Sequence, residues 1–342
     1  MHWLRRSAAG LAAILSLWLV VASAAQQRLV LVGSGSNLPL HLYQVWIAKF
    51  NANNQHIQVQ YLPVGSSEGL RQIADGVGDF AAGEIPLADP PLRGVKFSLL
   101  PIPTALVGVV PIYNLPGKPT LNFSGTLLAQ MYLGTVRNWN DPRIARLNPG
   151  VELPDLPIRV VHRSPGKGTN YIFTSFLSKV DSRFRIVVGT SPSPSWPVGI
   201  EADRGQDMVD QVVSTRGAIG YVETSFVRNL EVGSGRVENA AGQFVAPTAA
   251  SIAAACTTAE NSHPGDFRHD ITNAPGEGSY PISSFTWIYV PTSGTTADRR
   301  RALREFLMWS LQDGQSLAVT LGYAPMPARI RGAAVSAVLS LK

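Results

Sequence analysis

Three times this sequence runs from a strand-like stretch through a Gly/Ser-rich turn into a helix-like one. "RLVLVGS" passes through "GSGSN" (33–37) into "PLHLYQVWIAKF", "HIQVQYLPV" through "GSSEG" (65–69) into "LRQIADGV", and "PIRVVHR" through "GKGT" (166–169) into "NYIFTSFLSKV". Strand and helix in alternation argue an α/β domain around a mainly parallel sheet, because parallel neighbours need a crossover that a helix supplies. Leu42, Trp46 and Phe50 recur every four residues, as do Tyr43 and Ile47, which predicts an amphipathic helix with Pro39 in its first turn. Ile57, Val59 and Tyr61 alternate with Gln58 and Gln60, the mark of a half-buried strand. Leu70, Ile73 and Val77 share one face of the next helix, and Ile172, Phe173, Phe176, Leu177 and Val180 form a third apolar stripe.

From "ALVGVVPIYNLPG" (105–117) the character changes to a new strand and a run of short elements. "GTLLAQMYLGTVRNW" predicts a helix ending in a turn, and "GAIGYVETSFV" a strand entering a helix. Residues 230–280 give only a short Ala-rich helix near 248–256. "ISSFTWIYV" is a strand returning to the first domain, and "DRRRALREFLMWSLQDG" a helix with Leu303, Phe306, Leu307 and Leu311 on one face. There is no internal repeat and no long linker. A second domain inserted into the first fits this order: one lobe from 26–104 and 281–342, the other from 105–280.

Hydrophobic residues are 45% and charged residues 15%, the composition of a globular chain with large cores. The first 25 residues carry Arg5 and Arg6, an apolar run and "ASAA", which reads as a secretory signal peptide cleaved after Ala24 or Ala25; the alternative is an N-terminal membrane anchor. The residues of a twin-Arg signal do not follow, so the general secretion route is expected. Cleavage lowers the net charge from +6 to +4. That excess suits anions, but no Lys/Arg block with interleaved aromatics marks a nucleic-acid surface. Cys256 is the only cysteine, so no intrachain disulfide forms, and it is far from the cleavage point, so no lipid is expected there. A soluble periplasmic protein is the expected class. The six His residues are scattered without a metal-ligand spacing.

Each Gly/Ser turn at a strand end points free backbone N–H groups, and the positive end of a helix dipole, at one spot. That is an anion site in outline, although every helix start needs such caps. Arg163, ahead of the third turn, could form a bidentate pair with an oxyanion. "GKGT" lacks the earlier Gly of a nucleotide-binding loop, since residue 161 is Val. "GSSEG" also fits the G-x-S-x-G elbow of serine hydrolases, with Ser67 as nucleophile and His162, His263 or His269 as the base. Only about forty mature residues precede it, fewer than an elbow's sheet requires.

Six segments in one order, from residue 33 to residue 290, carry a resemblance: "GSGSNLPLHLYQVW", "GSSEGLRQIADGVGDFAAGEIPL", "YLGTVRNWNDPRIARLNPG", "VVHRSPGKGTNYIFTSFLSKV", "GAIGYVE" and "YPISSFTWIYV". Together they resemble the periplasmic phosphate-binding proteins of high-affinity phosphate ABC transporters. The resemblance implies a two-lobed, hinged periplasmic-binding-protein fold of type II. It implies a non-enzymatic monomer, without cofactor or metal, that hands inorganic phosphate to a membrane permease. In that family neutral donors at helix N-termini, one Arg and one carboxylate hold a desolvated phosphate. The carboxylate accepts the proton that phosphate still carries at neutral pH and sulfate does not. Losing that hydrogen bond and opposing two oxyanions together imply roughly a thousandfold discrimination.

Carried over residue by residue, the implied ligands are Asn37 and Leu38 (Thr and Phe in the family), Ser66, Glu84 (Asp in the family), Arg163, Lys167 (Ser in the family), Gly168 and Thr169. Leu38 would offer its backbone N–H and Asn37 its amide. Pro165 replaces an acidic residue that pairs with the Arg. If both side chains face inward, the loss at 165 and the gain at 167 make the pocket more positive by two charges. Glu84 is one methylene longer than Asp and needs a wider or shifted pocket. The departures leave a phosphonate, arsenate, phosphite or small carboxylate open as alternative ligands.

Overall fold

The computed structural model describes residues 28–87, 98–262 and 267–341. The predicted signal peptide, residues 1–25, lies outside them. The chain begins with β1 (Leu29–Gly35), α1 (Leu40–Asn53), β2 (Ile57–Leu62), α2 (Ser66–Ala74) and β3 (Phe80–Gly83). β4 (Leu99–Tyr113), β5 (Asn122–Phe123), α3 (Gly125–Tyr132), α4 (Pro142–Leu147), β6 (Arg159–Arg163), α5 (Gly168–Val180), α6 (Ser182–Val187), β7 (Ile200–Ala202), α7 (Gly205–Ser214) and β8 (Ala218–Glu223) follow. A 3-10 turn (Thr224–Asn229), short strands β9 (Gly233–Ser234), β10 (Arg236–Glu238) and β11 (Phe244–Val245), and α8 (Ala249–Ser262) lead into β12 (Ser283–Pro291). The chain closes with α9 (Ala297–Leu311), α10 (Gln315–Thr320) and α11 (Ala328–Leu339).

The main sheet has the order β2-β1-β3-β12-β4-β8-β6-β7. β1 is parallel to β2 and β3 at one end, and β6 is parallel to β8 and β7 at the other. The α/β reading therefore holds, with one refinement. β12 and β4, in the middle, run antiparallel to their neighbours. β4 serves both ends. Its first ten residues, Leu99–Gly108, pair with β12, and its last five, Val109–Tyr113, pair with β8. It begins at Leu99, six residues before the change of character at 105. Pro101 and Pro103 hide that start, since Pro within a run argues against a central strand. A register shift opposite Pro103 absorbs the irregularity.

The predicted apolar faces are the buried ones for α1, where Leu42, Tyr43, Trp46 and Phe50 are covered, and for α5 and α9. Val77 departs from its prediction. α2 stops at Ala74, Gly76 and Gly78 take positive φ, and Val77 is 57% exposed. The Ala-rich helix runs on to Ser262, because Cys256 and Ala259 extend its buried face. The segment after β8 forms a 3-10 turn instead of a longer helix.

One close approach sets the edge of the site. Gly35 has φ +143°, and a Cβ there would lie 2.0 Å from the Ala82 carbonyl oxygen. The amide of Ser36 donates to that same carbonyl at 2.9 Å. The end of β1 is thereby clamped against β3, with Ser36 beside the residue that follows β3. Gly35→Ala should cost on the order of 3 kcal/mol through backbone strain and overpacking. Urea unfolding at pH 7 measures it, and a loss under about 1 kcal/mol would contradict the clamp.

Candidate anion-binding site

Glu84, one residue past β3, is fully buried. A carboxylate out of water needs donors, and three elements supply them. Ser36 Oγ, in the β1–α1 turn, donates to Oε2 at 2.7 Å. Ser66 Oγ, at the first residue of α2, donates to the same oxygen at 2.9 Å. Thr286 Oγ1, from β12, donates to Oε1 at 3.2 Å. The Leu38 amide donates to Ser36 Oγ at 3.1 Å, so it reaches Glu84 through a hydroxyl relay. Burial outweighs these donors and pushes the Glu84 carboxyl up to about 7, with Glu223 adding to the rise.

The opposite wall comes from β6, α5 and the segments beside them. Arg163, at the last position of β6, is buried; its Nη2 donates to the Asp203 carbonyl at 2.8 Å, and its Nη1 lies 4.0 Å from Glu223 Oε2. Arg163 Nε and Glu223 Oε2 are buried without a hydrogen-bond partner among the described residues. Burial raises the Glu223 carboxyl, and Arg163 opposes that rise. Lys167 caps α5, and its Nζ lies 2.8 Å from Asp203 Oδ1. Gly168 and Thr169 are the first two residues of α5 and are buried.

The two walls touch at Glu84. A Cβ on Gly168 would lie 1.8 Å from Glu84 Oε2 and 2.6 Å from Ser66 Oγ. The Ser67 amide donates to the Gly166 carbonyl at 3.1 Å, beside the same contact. The starts of α2 and α5 therefore face each other across one carboxyl group. A helix N-terminus carries about half a positive charge, which favours an anion at this place.

Leu38, Ser66, Glu84 and Gly168 thus come together. Asn37 is nearby in the chain, but its amide nitrogen donates to the Pro63 carbonyl at 3.3 Å, and its Oδ1 is buried without a hydrogen-bond partner among the described residues. Two acids that sequence reasoning missed stand beside the basic side chains: Asp203 pairs with Lys167 at 2.8 Å, and Glu223 lies 4.0 Å from Arg163. Ser36 and Thr286 were also missed. Ser36 lies inside "GSGSN" and Glu223 closes "GAIGYVE", so both were visible as members of quoted motifs; nothing local marks Asp203 or Thr286. Ser67 gains no base from His162, whose Nδ1 is 3.2 Å from the Arg163 carbonyl and whose ring stacks on Trp196. His263 lies outside the described residues.

A PBP superfamily domain matches residues 21–313. The phosphate-binding protein PstS of Xylella fastidiosa is 38% identical over 89% of this chain and 84% of its own length. The chain belongs to the PstS family of phosphate-binding proteins. The PstS of Pasteurella multocida is 32% identical over 89% of this chain and 88% of its own. In fold, the chain is similar to the high-affinity periplasmic phosphate-binding protein PfluDING, solved with phosphate bound. That match has a TM-score of 0.67 and 20% identity, and covers 90% of this chain and 92% of the other.

In this PstS-family chain the buried Glu84 makes stability depend on pH. Folded, it keeps its proton to about pH 7; unfolded, it loses it near its ordinary value of 4.5. The unfolded chain is therefore favoured progressively as pH rises between those values, by about 3 kcal/mol in all. Glu223 adds a contribution of the same sign. Glu84→Gln should flatten this decline to the share of Glu223. Urea unfolding at pH 5 and pH 7.5 checks it; equal slopes for both proteins would refute the assignment.

Proposed function

We propose that this chain is the phosphate-capturing component of an ABC transporter, exported to the periplasm. The observation that carries this reading is the buried, hydroxyl-supplied Glu84 carboxyl facing the N-terminus of α5. In this reading Asn37, Leu38, Ser66, Arg163, Lys167, Gly168 and Thr169 surround the anion, and Glu84 shares one proton with it. Phosphate brings that proton. Sulfate does not, and an ionised Glu84 repels it. The ligand lies between a lobe of residues 26–104 and 281–342 and a lobe of residues 105–280. Closure about the crossing strands β4 and β12 brings α5 onto Glu84. The protein acts as a monomer and passes its ligand to a membrane permease. Its relatives are named as binding proteins, in keeping with a chain that holds phosphate and does not transform it.

Titration calorimetry on phosphate-stripped mature protein tests the reading. At pH 8 phosphate should bind about a thousandfold more tightly than sulfate. At pH 6 the ratio should shrink, because Glu84 then carries a proton of its own to donate. Absence of heat with phosphate would overturn the reading. A related oxyanion is the second reading, favoured by the close contact of Glu84 with Gly168; a phosphonate, arsenate, phosphite or small carboxylate binding better than phosphate in the same titrations would select it. Arg163→Ala should weaken phosphate by about a hundredfold or more, whereas Lys167→Ser should cost less than about tenfold. Equal losses would place the Lys167 charge on the ligand.

A further inference from the structure

We propose that Asp203 is a positioning residue that sets the anion charge this site accepts, by drawing the Lys167 ammonium away from it. The inference rests on the phosphate reading above and deepens it. Asp203 follows β7, outside every segment that carries the family resemblance, yet it gathers both basic side chains of the site. Its carbonyl oxygen accepts from Arg163 Nη2 at 2.8 Å. Its Oδ1 receives Lys167 Nζ and Ser164 Oγ, each at 2.8 Å.

The two partners are unequally placed. The Asp203 side chain is 62% exposed, while that of Lys167 is only 11% exposed. The Lys167 stem is packed inward, with Cδ 3.6 Å from the position a Cβ on Gly65 would occupy, just ahead of α2. The next residue, Gly168, lies against Glu84. An ammonium on so short a tether, at the mouth of an anion site, has two available partners: the Asp203 carboxylate or the bound anion. An exposed ion pair adds little stability on its own. Its effect here is to take one positive charge out of the site. A free Lys167 would offset the repulsion between Glu84 and a fully ionised anion, the very repulsion that rejects sulfate. Asp203 thereby compensates for the lysine at the start of α5.

Asp203→Asn removes the carboxylate charge and keeps the carbonyl that Arg163 uses. Calorimetry with phosphate and with sulfate at pH 8 compares four stripped proteins: wild type, Asp203→Asn, Lys167→Ser and the double variant. Asp203→Asn should tighten sulfate by about tenfold and phosphate by less, so that the phosphate-to-sulfate ratio narrows at least about fivefold. Adding Lys167→Ser should return the ratio to that of Lys167→Ser alone. An unchanged ratio in Asp203→Asn overturns the inference, and so does a narrowed ratio that survives in the double variant. Failure of the wild type to bind phosphate strikes the underlying reading instead, and is seen before any variant is compared.

Discussion

The site depends on one costly arrangement, a carboxyl group buried completely at the meeting of two walls. Desolvation of Glu84 is offset in part by hydroxyls from the β1–α1 turn, from α2 and from β12. Those three donors span 250 residues of chain, from Ser36 to Thr286, so the group can be satisfied only once the sheet has formed. The remaining cost appears as a carboxyl that holds its proton to about pH 7. A group poised in this way can accept one proton from a ligand or lend one to it, which is the chemistry an oxyanion reader needs.

β4 explains how a single sheet presents two walls. It exchanges β12 for β8 partway along its length. Parallel strands on each side lead into helix starts, and the starts of α2 and α5 meet at Glu84. Ligands of open α/β sheets gather at such carboxyl ends of strands. Gly35, Gly69 and Gly168 are among the places beside the site where the approach is so close that a side chain would strike a neighbouring element.

The charges about the site follow a division of labour. Arg163 is buried and held by the Asp203 carbonyl, with Glu223 4.0 Å from its Nη1. Lys167 is paired and largely spent on Asp203. The partner of Lys167 is thus an acid distant in sequence.

Much of the fold could be read before any coordinates. The apolar spacing of α1, α5 and α9, the alternation of β2 and the returning strand β12 are local patterns, because burial of one face imposes a period on the chain. Of the eight residues the resemblance implied, the structure gathers Leu38, Ser66, Glu84 and Gly168 about one carboxyl group. The early start of β4 was concealed by Pro101 and Pro103, and the end of α2 before Val77 by two glycines. What the sequence by itself determined was which residues are apolar, which turns open helices and which residue types are available to hold an anion. Only the tertiary structure decided that Thr286 supplies Glu84, that Asp203 claims Lys167 and that Glu223 stands beside Arg163. These pairings join residues from 36 to 202 positions apart, and no periodicity encodes a partner at that distance. They exist because the sheet brings the strand ends together, and the hydroxyls at Glu84 persist because a buried polar group left without a partner would cost more than the contact.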